Sequence, residues 1–350
     1  MSSPPRPPAR RTEGDVPATS PEPHPGAGRH RIALALGGGG ARGIAHVLVL
    51  EALDELGVRP QVIAGTSIGA IYGAAFASGM SAKLIRAHTE EVLGQRMDLL
   101  RQLYAARAVP IQRLINVIPV RSALLDPVAL MDLLLPSKVP RDFAALQIPL
   151  HVVATDFYAQ EPLVISQGPL RPALAASSAL PALFSPVIID GRALVDGGLV
   201  NPLPFDLVAP GADVTIAIDV AGNAPASIPM EARPAQPSAI DVLMSSSQIF
   251  QRSIVREKLK AHQPDIYIAC PVDAFGVVDF HRFREVLTAC VPVKDLVKRQ
   301  LGRILESHPA EALSPPPTAA IEPPRQSARP RSFLADLRRR RRSRKPEDEG

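Results

Sequence analysis

The stretch Val62-Ile-Ala-Gly-Thr-Ser-Ile-Gly-Ala70 decides how the rest of the chain is interpreted. A short β-branched run leads into Gly65-x-Ser67-x-Gly69, and small and apolar residues then continue at helical spacing to Ser78. Strand, turn and helix in this order are the context of a nucleophile elbow, in which a serine on a sharp turn exposes its hydroxyl. The alternative is a tight turn whose serine only caps the helix. The pentapeptide alone leaves both interpretations open.

A glycine-rich loop precedes this stretch by one predicted helix. The run 31–36 predicts a buried strand that breaks at Gly37-Gly-Gly-Gly-Ala-Arg-Gly43. The loop matches a dinucleotide fingerprint in its letters, but no acidic residue ends the next strand, and the Gly-Lys-Ser/Thr of a P-loop is absent. Consecutive glycine amides at a helix N-terminus can instead bind a developing negative charge. Because adjacent parallel strands place this loop and Ser67 at one sheet edge, we favour an oxyanion-binding role over a turn alone.

Alternating strands and helices follow, as in an α/β protein. Apolar runs predict strands at 150–155, 162–165, 188–189, 193–195, 214–218 and 265–269, and helices at 171–178, 239–260 and 281–305. Such alternation implies a mostly parallel sheet covered on both faces. Residues 81–142 are rich in leucine and divided by prolines into short helices. Most of these leucines are expected to pack in the core, and the alternative is a mobile apolar cover over the serine.

Both ends of the chain are predicted to be disordered. Residues 1–29 hold eight prolines and residues 309–350 are rich in Pro, Ala and Arg, so neither end can bury enough apolar surface to offset its ordering entropy. We therefore expect one folded domain over residues 30–308. The ends account for the net charge of +5, because the segment between residues 30 and 321 has a balance of −1. No specific nucleic-acid partner is expected, although the basic run Arg338–Lys345 leaves open attraction to anionic lipid or to an acidic partner.

Cysteine usage and hydropathy indicate a cytoplasmic protein. The two cysteines, Cys270 and Cys290, form neither a disulfide framework nor a metal-binding pattern. We find no secretory signal, and no apolar run approaches the roughly 20 residues that a membrane-spanning helix needs. No cofactor or metal is expected, and the oligomeric state stays undetermined.

A nucleophilic serine needs a proton acceptor, and the sequence offers two kinds. His281 is the best of the eight histidines, because it begins a predicted helix and follows Asp196 in the Ser-Asp-His order of an α/β-hydrolase. The other candidate is Asp196 itself, which ends a predicted strand and precedes two glycines. A carboxylate is a weak base, so it would need close contact with the serine and partial desolvation to raise its pKa. A plain Asp-Gly turn is the structural alternative.

Four motifs in one order resemble those of the patatin-like phospholipases, in the compact bacterial branch related to the catalytic domain of neuropathy target esterase. They are Gly38-Gly-Gly-Ala-Arg-Gly43, Gly65-Thr-Ser-Ile-Gly69, the segment 176–187 and Asp196-Gly-Gly198. The resemblance covers about residues 30–300. It implies a three-layer α/β/α fold with a mostly parallel central sheet, and hydrolysis of a lipid acyl ester without a catalytic histidine.

The resemblance also implies a role for each motif residue. Ser67 would be the nucleophile and Asp196 the base of a Ser-Asp dyad. The amides of Gly38, Gly39 and Gly40 would form the oxyanion hole, with Arg42 beside them. The supporting glycines would be Gly43, Gly65, Gly69, Gly197 and Gly198. The substrate would be a lysophospholipid or related lipid ester, with peripheral membrane contact left open, and the competing hypothesis is a catalytically weak scaffold or regulator.

Overall fold

The part of the chain that the computed structural model describes, residues 30–96, 126–181, 183–222 and 239–307, folds around an eight-stranded mixed sheet. The strands are β1 (Ile32–Leu36), β2 (Val62–Thr66), β3 (Leu150–Asp156), β4 (Glu161–Ile165), β5 (Val187–Ile189), β6 (Arg192–Asp196), β7 (Val214–Asp219) and β8 (Ile266–Ala269). Strands β8, β7, β1, β2 and β3 pair in parallel, whereas β4 and the β5–β6 hairpin pair antiparallel. The predicted mostly parallel sheet is confirmed.

The connecting helices are α1 (His46–Glu55), α2 (Ile68–Ala77), α3 (Ala82–Glu91), α4 (Pro127–Leu134), α5 (Leu170–Ser177), α6 (Ala239–Ala261), α7 (Phe283–Ala289) and α8 (Val291–Ser307). The prediction of one closing helix over 281–305 is wrong, because the chain divides at Cys290 between α7 and α8. Pro292 follows this break, and a proline has no N–H to continue the preceding helix but is tolerated in a first turn. None of the described helices is both long and apolar enough to cross a membrane.

The alternation of large and small residues in β1 explains why both faces of the sheet are covered. Side chains alternate between the two faces of a strand, and every residue of β1 is buried. The larger ones pack with α1, α2, α5 and α8 in the main core: Ile32, Leu34 and Leu36. The alanines lie on the opposite face, against α6 and the segment 203–208. The result is the three-layer α/β/α arrangement.

The pairing of β3 brings two strand ends together. Strand β4 covers residues 152–156 of β3 along one edge, so the other partners must share the opposite edge. Along that edge, β2 runs parallel to β3 until Thr66 pairs with Val153, and β6 runs antiparallel until Asp196 pairs with Ala154. The carboxyl ends of β2 and β6 therefore meet head-on. Since Ser67 follows β2 directly, the topology itself brings this serine to Asp196.

The described part of the leucine-rich region packs against the main core. Met131 and Leu135 are buried, and Leu130 and Leu134 are half-buried against the same cluster. Core packing is thus confirmed for α4 and its C-terminal end. The remaining predicted leucines between residues 97 and 125 lie outside the described residues, as do the predicted disordered ends 1–29 and 309–350. The apolar cover and the domain boundaries stay predictions.

Candidate active site

Ser67 lies on the turn between β2 and α2, where its backbone is strained. Its φ of 54° and ψ of −124° are rare for a residue with a side chain and cost about 1–3 kcal/mol. The side chain makes no capping hydrogen bond to α2. Its Oγ instead donates a hydrogen bond of 2.7 Å to Oδ2 of Asp196. This geometry excludes the helix-cap alternative and is that of a nucleophile elbow.

Contacts from three directions hold the strained turn. The N–H of Ser67 donates to Oγ of Ser177 at 2.8 Å, and that hydroxyl donates to the carbonyl of Val153 at 2.6 Å. The hydroxyl of Thr66 donates to the carbonyl of Asn201 at 2.8 Å. Any Cβ at Gly69 would collide with the backbone of β1, so α2 can start this close to the sheet only with glycine there. Strain at one residue persists because the surroundings over-determine it.

The carboxylate of Asp196 is buried, with 5% of the residue exposed. Its Oδ1 accepts the N–H of Gly198 at 2.7 Å, while Oδ2 accepts the Ser67 hydroxyl. Burial raises the pKa of Asp196 from 3.8 to about 6, and these two hydrogen bonds oppose the rise because they favour the ionised form. A carboxylate with this pKa is ionised at neutral pH and is a stronger base than an exposed aspartate. The predicted contact and desolvation are both present.

The glycine loop lies beside Ser67, but its three candidate amides differ. A Cβ on Gly38 would lie 3.5 Å from that of Ser67, which places the loop against the serine. The N–H of Gly38 donates to the carbonyl of Pro202 at 2.9 Å and is therefore already used. The N–H groups of Gly39 and Gly40 have no acceptor among the described residues. Gly40 also has a φ of +57° and lies against the backbone of Val277, so only glycine suits this position.

Two buried basic side chains support the loop from behind. Arg42 donates from Nε to the carbonyl of Phe275 and from Nη1 to that of Ala221, both at 2.6 Å. Burial, and then the charge of nearby Arg252, lower the pKa of Arg42. His46 is fully buried, and burial lowers its pKa to about 4. It is therefore neutral at pH 7, and its Nε2 bonds the carbonyl of Gly37 at 2.9 Å.

The position of His281 does not support its prediction as the base. His281 is exposed, in the 3-10 turn Phe280–Arg282. Within the described residues, no hydrogen bond joins Ser67 to any histidine. No group of three His, Cys, Asp or Glu side chains in this part of the chain is arranged to hold a metal ion. The carboxylate is therefore the proton acceptor that the geometry offers.

Two residues that the structure brings to the site, Ser177 and Asn201, are not predicted from the sequence. Ser177 lies in the 176–187 segment, a motif that gives no individual residue a role. Asn201 begins an Asn-Pro-Leu-Pro run after the second glycine pair. The remaining motif glycines, Gly43, Gly65, Gly197 and Gly198, lie where another chain segment approaches closely. Nothing in the sequence indicates that a serine at a helix end, or an asparagine before a proline, contacts the turn that holds Ser67.

Comparisons with known proteins identify the family of the chain. The family model described as patatin-like phospholipase matches residues 34–209. An uncharacterized NTE family protein of Mycobacterium tuberculosis is 34% identical over 233 residues, which cover 64% of this chain and 59% of the relative. Patatin-like phospholipase domain-containing protein 7 of Rattus norvegicus is 30% identical over 273 residues, covering 72% of this chain and 19% of the relative. The chain thus spans less than two thirds of either relative.

Two matches among solved structures have low sequence identity. VipD from Legionella pneumophila superposes with a TM-score of 0.41 at 17% identity, covering 80% of this chain and 67% of VipD. Human GIVD cytosolic phospholipase A2, in complex with methyl gamma-linolenyl fluorophosphonate, gives a TM-score of 0.41 at 13% identity, with 80% and 59% covered. The family model alone spans half of the chain and contains Ser67, Asp196 and the glycine loop. The chain belongs to the patatin-like phospholipase family.

Proposed function

We propose that this protein hydrolyses lipid acyl esters, with Ser67 as the nucleophile and Asp196 as the general base. The observation that carries the proposal is the strained turn at Ser67, from which the hydroxyl donates a 2.7 Å hydrogen bond to a buried carboxylate. General bases are most effective when their pKa lies near the working pH, and burial raises that of Asp196 to about 6. The substrate class is supported by the family to which the chain belongs.

In the acylation step, Oγ of Ser67 attacks the carbonyl carbon of the ester while its proton passes to Oδ2 of Asp196. The carbonyl oxygen gains the negative charge of the tetrahedral intermediate. The intermediate then collapses, the bond to the alcohol oxygen breaks, and that oxygen takes the proton from Asp196. The alcohol part of the lipid leaves, and the acyl group stays on Ser67.

In the deacylation step, Asp196 acts as the base a second time. A water molecule attacks the acyl carbonyl carbon and gives its proton to Asp196. The second tetrahedral intermediate releases Oγ of Ser67, which recovers the proton. The products are a free fatty acid and the resting enzyme, and the same carboxylate serves both half-reactions.

Preorganised N–H groups would stabilise the two oxyanions. We assign this role to Gly39 and Gly40, because their amides have no acceptor among the described residues, whereas that of Gly38 is bonded to Pro202. Helix α2 begins directly after Ser67 and adds the positive end of its dipole at the same place. The structural support behind the loop, from Arg42 and His46, keeps these groups fixed before the reaction begins.

A face of α6 next to the site supports peripheral contact with a lipid surface. Four large apolar side chains on it are exposed and repeat every seven residues: Val242, Leu243, Ile249 and Phe250. Gln251, the next residue, lies against Gly198. We infer that this face meets the lipid from which the acyl chain enters. Co-sedimentation with phosphatidylcholine vesicles tests it: Phe250→Ser should reduce the bound fraction several-fold, and equal binding by the variant would refute the inference.

Labelling with a fluorophosphonate probe tests the proposed nucleophile. The wild-type protein should be labelled at Ser67 and should hydrolyse p-nitrophenyl esters and lysophospholipids. Ser67→Ala should lose both properties, whereas His281→Ala should keep them. Absence of a Ser67 adduct in the wild-type protein would favour the scaffold hypothesis. Loss of activity in His281→Ala would favour a triad with this histidine as the base.

A further inference from the structure

The short segment Asn201–Leu203 touches two parts of the candidate site through its backbone carbonyl groups. The carbonyl of Asn201 accepts the hydroxyl of Thr66, the residue directly before the nucleophile, at 2.8 Å. The carbonyl of Pro202 accepts the N–H of Gly38 in the glycine loop at 2.9 Å. We call this segment the 201–203 strap. Its position therefore affects both the nucleophile turn and the loop of the proposed oxyanion hole.

The strap is held from its other side by a lysine on α6. Nζ of Lys258 donates to Oδ1 of Asn201 at 2.7 Å and to the carbonyl of Leu203 at 2.9 Å. The ammonium group also pairs with the carboxylate of Asp206 and lies 4.8 Å from the ring centre of Phe205. The side-chain amide of Asn201 donates to the same carboxylate at 3.1 Å. The half-buried ammonium group of Lys258 thus contacts Asn201, Leu203, Phe205 and Asp206.

The sequence of the strap explains why it needs an external donor. Pro202 and Pro204 have no N–H, so this stretch cannot be fixed by a regular ladder of backbone hydrogen bonds. A lysine ammonium has three donor hydrogens and can bond several oxygens at once. Burial lowers the pKa of Lys258, and the paired carboxylate of Asp206 opposes that decrease. The ammonium group thus fixes the strap by donating to its oxygen atoms, where the prolines prevent a regular backbone ladder.

We propose that Lys258 is a positioning residue, which sets the alignment of Ser67 and the glycine loop through the 201–203 strap. This inference rests on the proposed function. No described hydrogen bond joins Lys258 to Ser67, Asp196 or the glycine loop, so its effect must pass through Asn201 and Leu203. Small displacements of reacting groups are costly, since a misplacement of about 1 Å can lower a rate on the order of 100-fold.

Helix α6 provides a matched control for the test. Lys260 lies two residues further along, and its ammonium group pairs with Glu257 on the surface. With p-nitrophenyl ester as the substrate, Lys258→Met should lower kcat about tenfold or more with KM within about twofold, and Lys260→Met should leave both unchanged. The pH midpoint of the remaining activity should move little, because Lys258 makes no described contact with Asp196 and burial is the main cause of the raised pKa of that carboxyl group. A lysine that only stabilised the fold would lower the melting temperature without lowering kcat.

A second pair of variants reports on the other end of the strap. Thr66→Val removes the hydroxyl that bonds Asn201 and should lower kcat, while Thr66→Ser keeps that hydroxyl and should restore it. Combining Thr66→Val with Lys258→Met should cost less than the two single losses multiplied, because both act through one strap.

The outcomes separate this inference from the proposed function. A wild-type protein without turnover would overturn both. An active wild type in which Lys258→Met behaves like Lys260→Met would overturn the inference alone. If Lys258→Met does not fold, the Thr66 pair and Asp206→Asn, which removes only the partner charge, decide in its place. Equal kcat in Thr66→Val, Asp206→Asn and wild type would then contradict the role of the strap.

Discussion

Two carboxylates at strand ends, Asp196 in β6 and Asp219 in β7, have nearly the same local structure. In each, Oδ1 accepts the backbone N–H two residues ahead, from Gly198 at 2.7 Å and from Ala221 at 2.8 Å. In each, Oδ2 accepts a hydroxyl, from Ser67 at 2.7 Å and from Tyr267 at 2.8 Å. Burial raises the pKa of both carboxyl groups. A hydroxyl bonded to a buried carboxylate is therefore not sufficient evidence of a catalytic pair.

The two pairs differ in what surrounds the hydroxyl. Ser67 occupies a strained turn with a φ of 54°, next to glycine amides that have no acceptor among the described residues. Tyr267 belongs to the regular strand β8, and burial together with the charge of Asp219 raises the pKa of its phenol. In the proposed reaction the hydroxyl of Ser67 gives up its proton, whereas the raised pKa of Tyr267 favours a phenol that keeps its proton. The comparison teaches that two features distinguish the proposed catalytic pair: backbone strain, and nearby N–H groups without an acceptor among the described residues.

The largest expected effect is on kcat/KM when the two carboxylates are replaced in turn. Asp196→Asn should lower kcat/KM for a p-nitrophenyl ester by up to about 10⁴-fold, since a general base contributes that much at most. Asp219→Asn should change it by less than about threefold. The melting temperature of Asp196→Asn should not fall, because the substitution removes a buried carboxylate whose ionised form is costly. Equal losses in the two variants would mean that the sites are functionally alike.

A somewhat smaller loss is expected when the glycine N–H groups beside Ser67, which have no acceptor in the described part of the chain, are displaced. A Cβ at Gly39 would lie 2.6 Å from the carbonyl oxygen of Val220, so Gly39→Ala must shift the loop. Loss of an oxyanion donor lowers kcat about 10²- to 10³-fold, and we expect this range for Gly39→Ala. Gly302→Ala in α8 is the control, because nothing lies within 4 Å of the added methyl. Unchanged turnover in Gly39→Ala would contradict the proposed role of the loop in the oxyanion hole.

The dependence of kcat/KM on pH tests the protonation of Asp196 and separates it from that of Asp219. Only the ionised carboxylate can accept the serine proton, and its pKa is about 6. The value of kcat/KM should therefore rise with pH up to about 6 and level off above it, and should fall tenfold for each pH unit below. At pH 4 the loss is about 100-fold. Steady-state kinetics in Asp219→Asn should give the same midpoint, and a midpoint near 4, the ordinary range of an aspartate, would show that burial does not raise the pKa of the titrating base.

Much of this site could be predicted from sequence because its strongest signals are local. The Gly65-x-Ser67-x-Gly69 turn is defined by five adjacent residues, and a β-branched run before it predicts the strand that orients it. Asp196 could be proposed because it lies at a strand end before two glycines. The pairing of the two, however, depends on the register of β3, whose one edge carries the ends of both β2 and β6.

The parts that sequence did not reveal depend on contacts between distant residues. The hydroxyl of Ser177 accepts the N–H of Ser67, although the two residues lie 110 positions apart. Neither the residue type nor the spacing predicts this hydrogen bond. The N–H of Gly38 is bonded to Pro202, so the three glycine amides, which look equivalent in sequence, differ in the structure. A row of glycines can predict that a loop approaches something closely. It cannot predict which of the amides remain free.

The smallest expected effect concerns the hydroxyl of the second pair. Tyr267→Phe removes the bond to Asp219 and should lower the free energy of unfolding by about 1 kcal/mol, the usual net value of one hydrogen bond. Tyr267 is partly exposed, so water can replace the lost donor, and kcat should stay within about twofold of wild type. Ser67→Ala makes the matching deletion in the first pair and should abolish turnover while the protein stays folded. Urea unfolding and ester kinetics on both variants decide the matter. A large loss of kcat in Tyr267→Phe would show that the Asp219 pair also takes part in the reaction. Such a role is conceivable in space because β7, which ends at Asp219, ends beside the glycine loop.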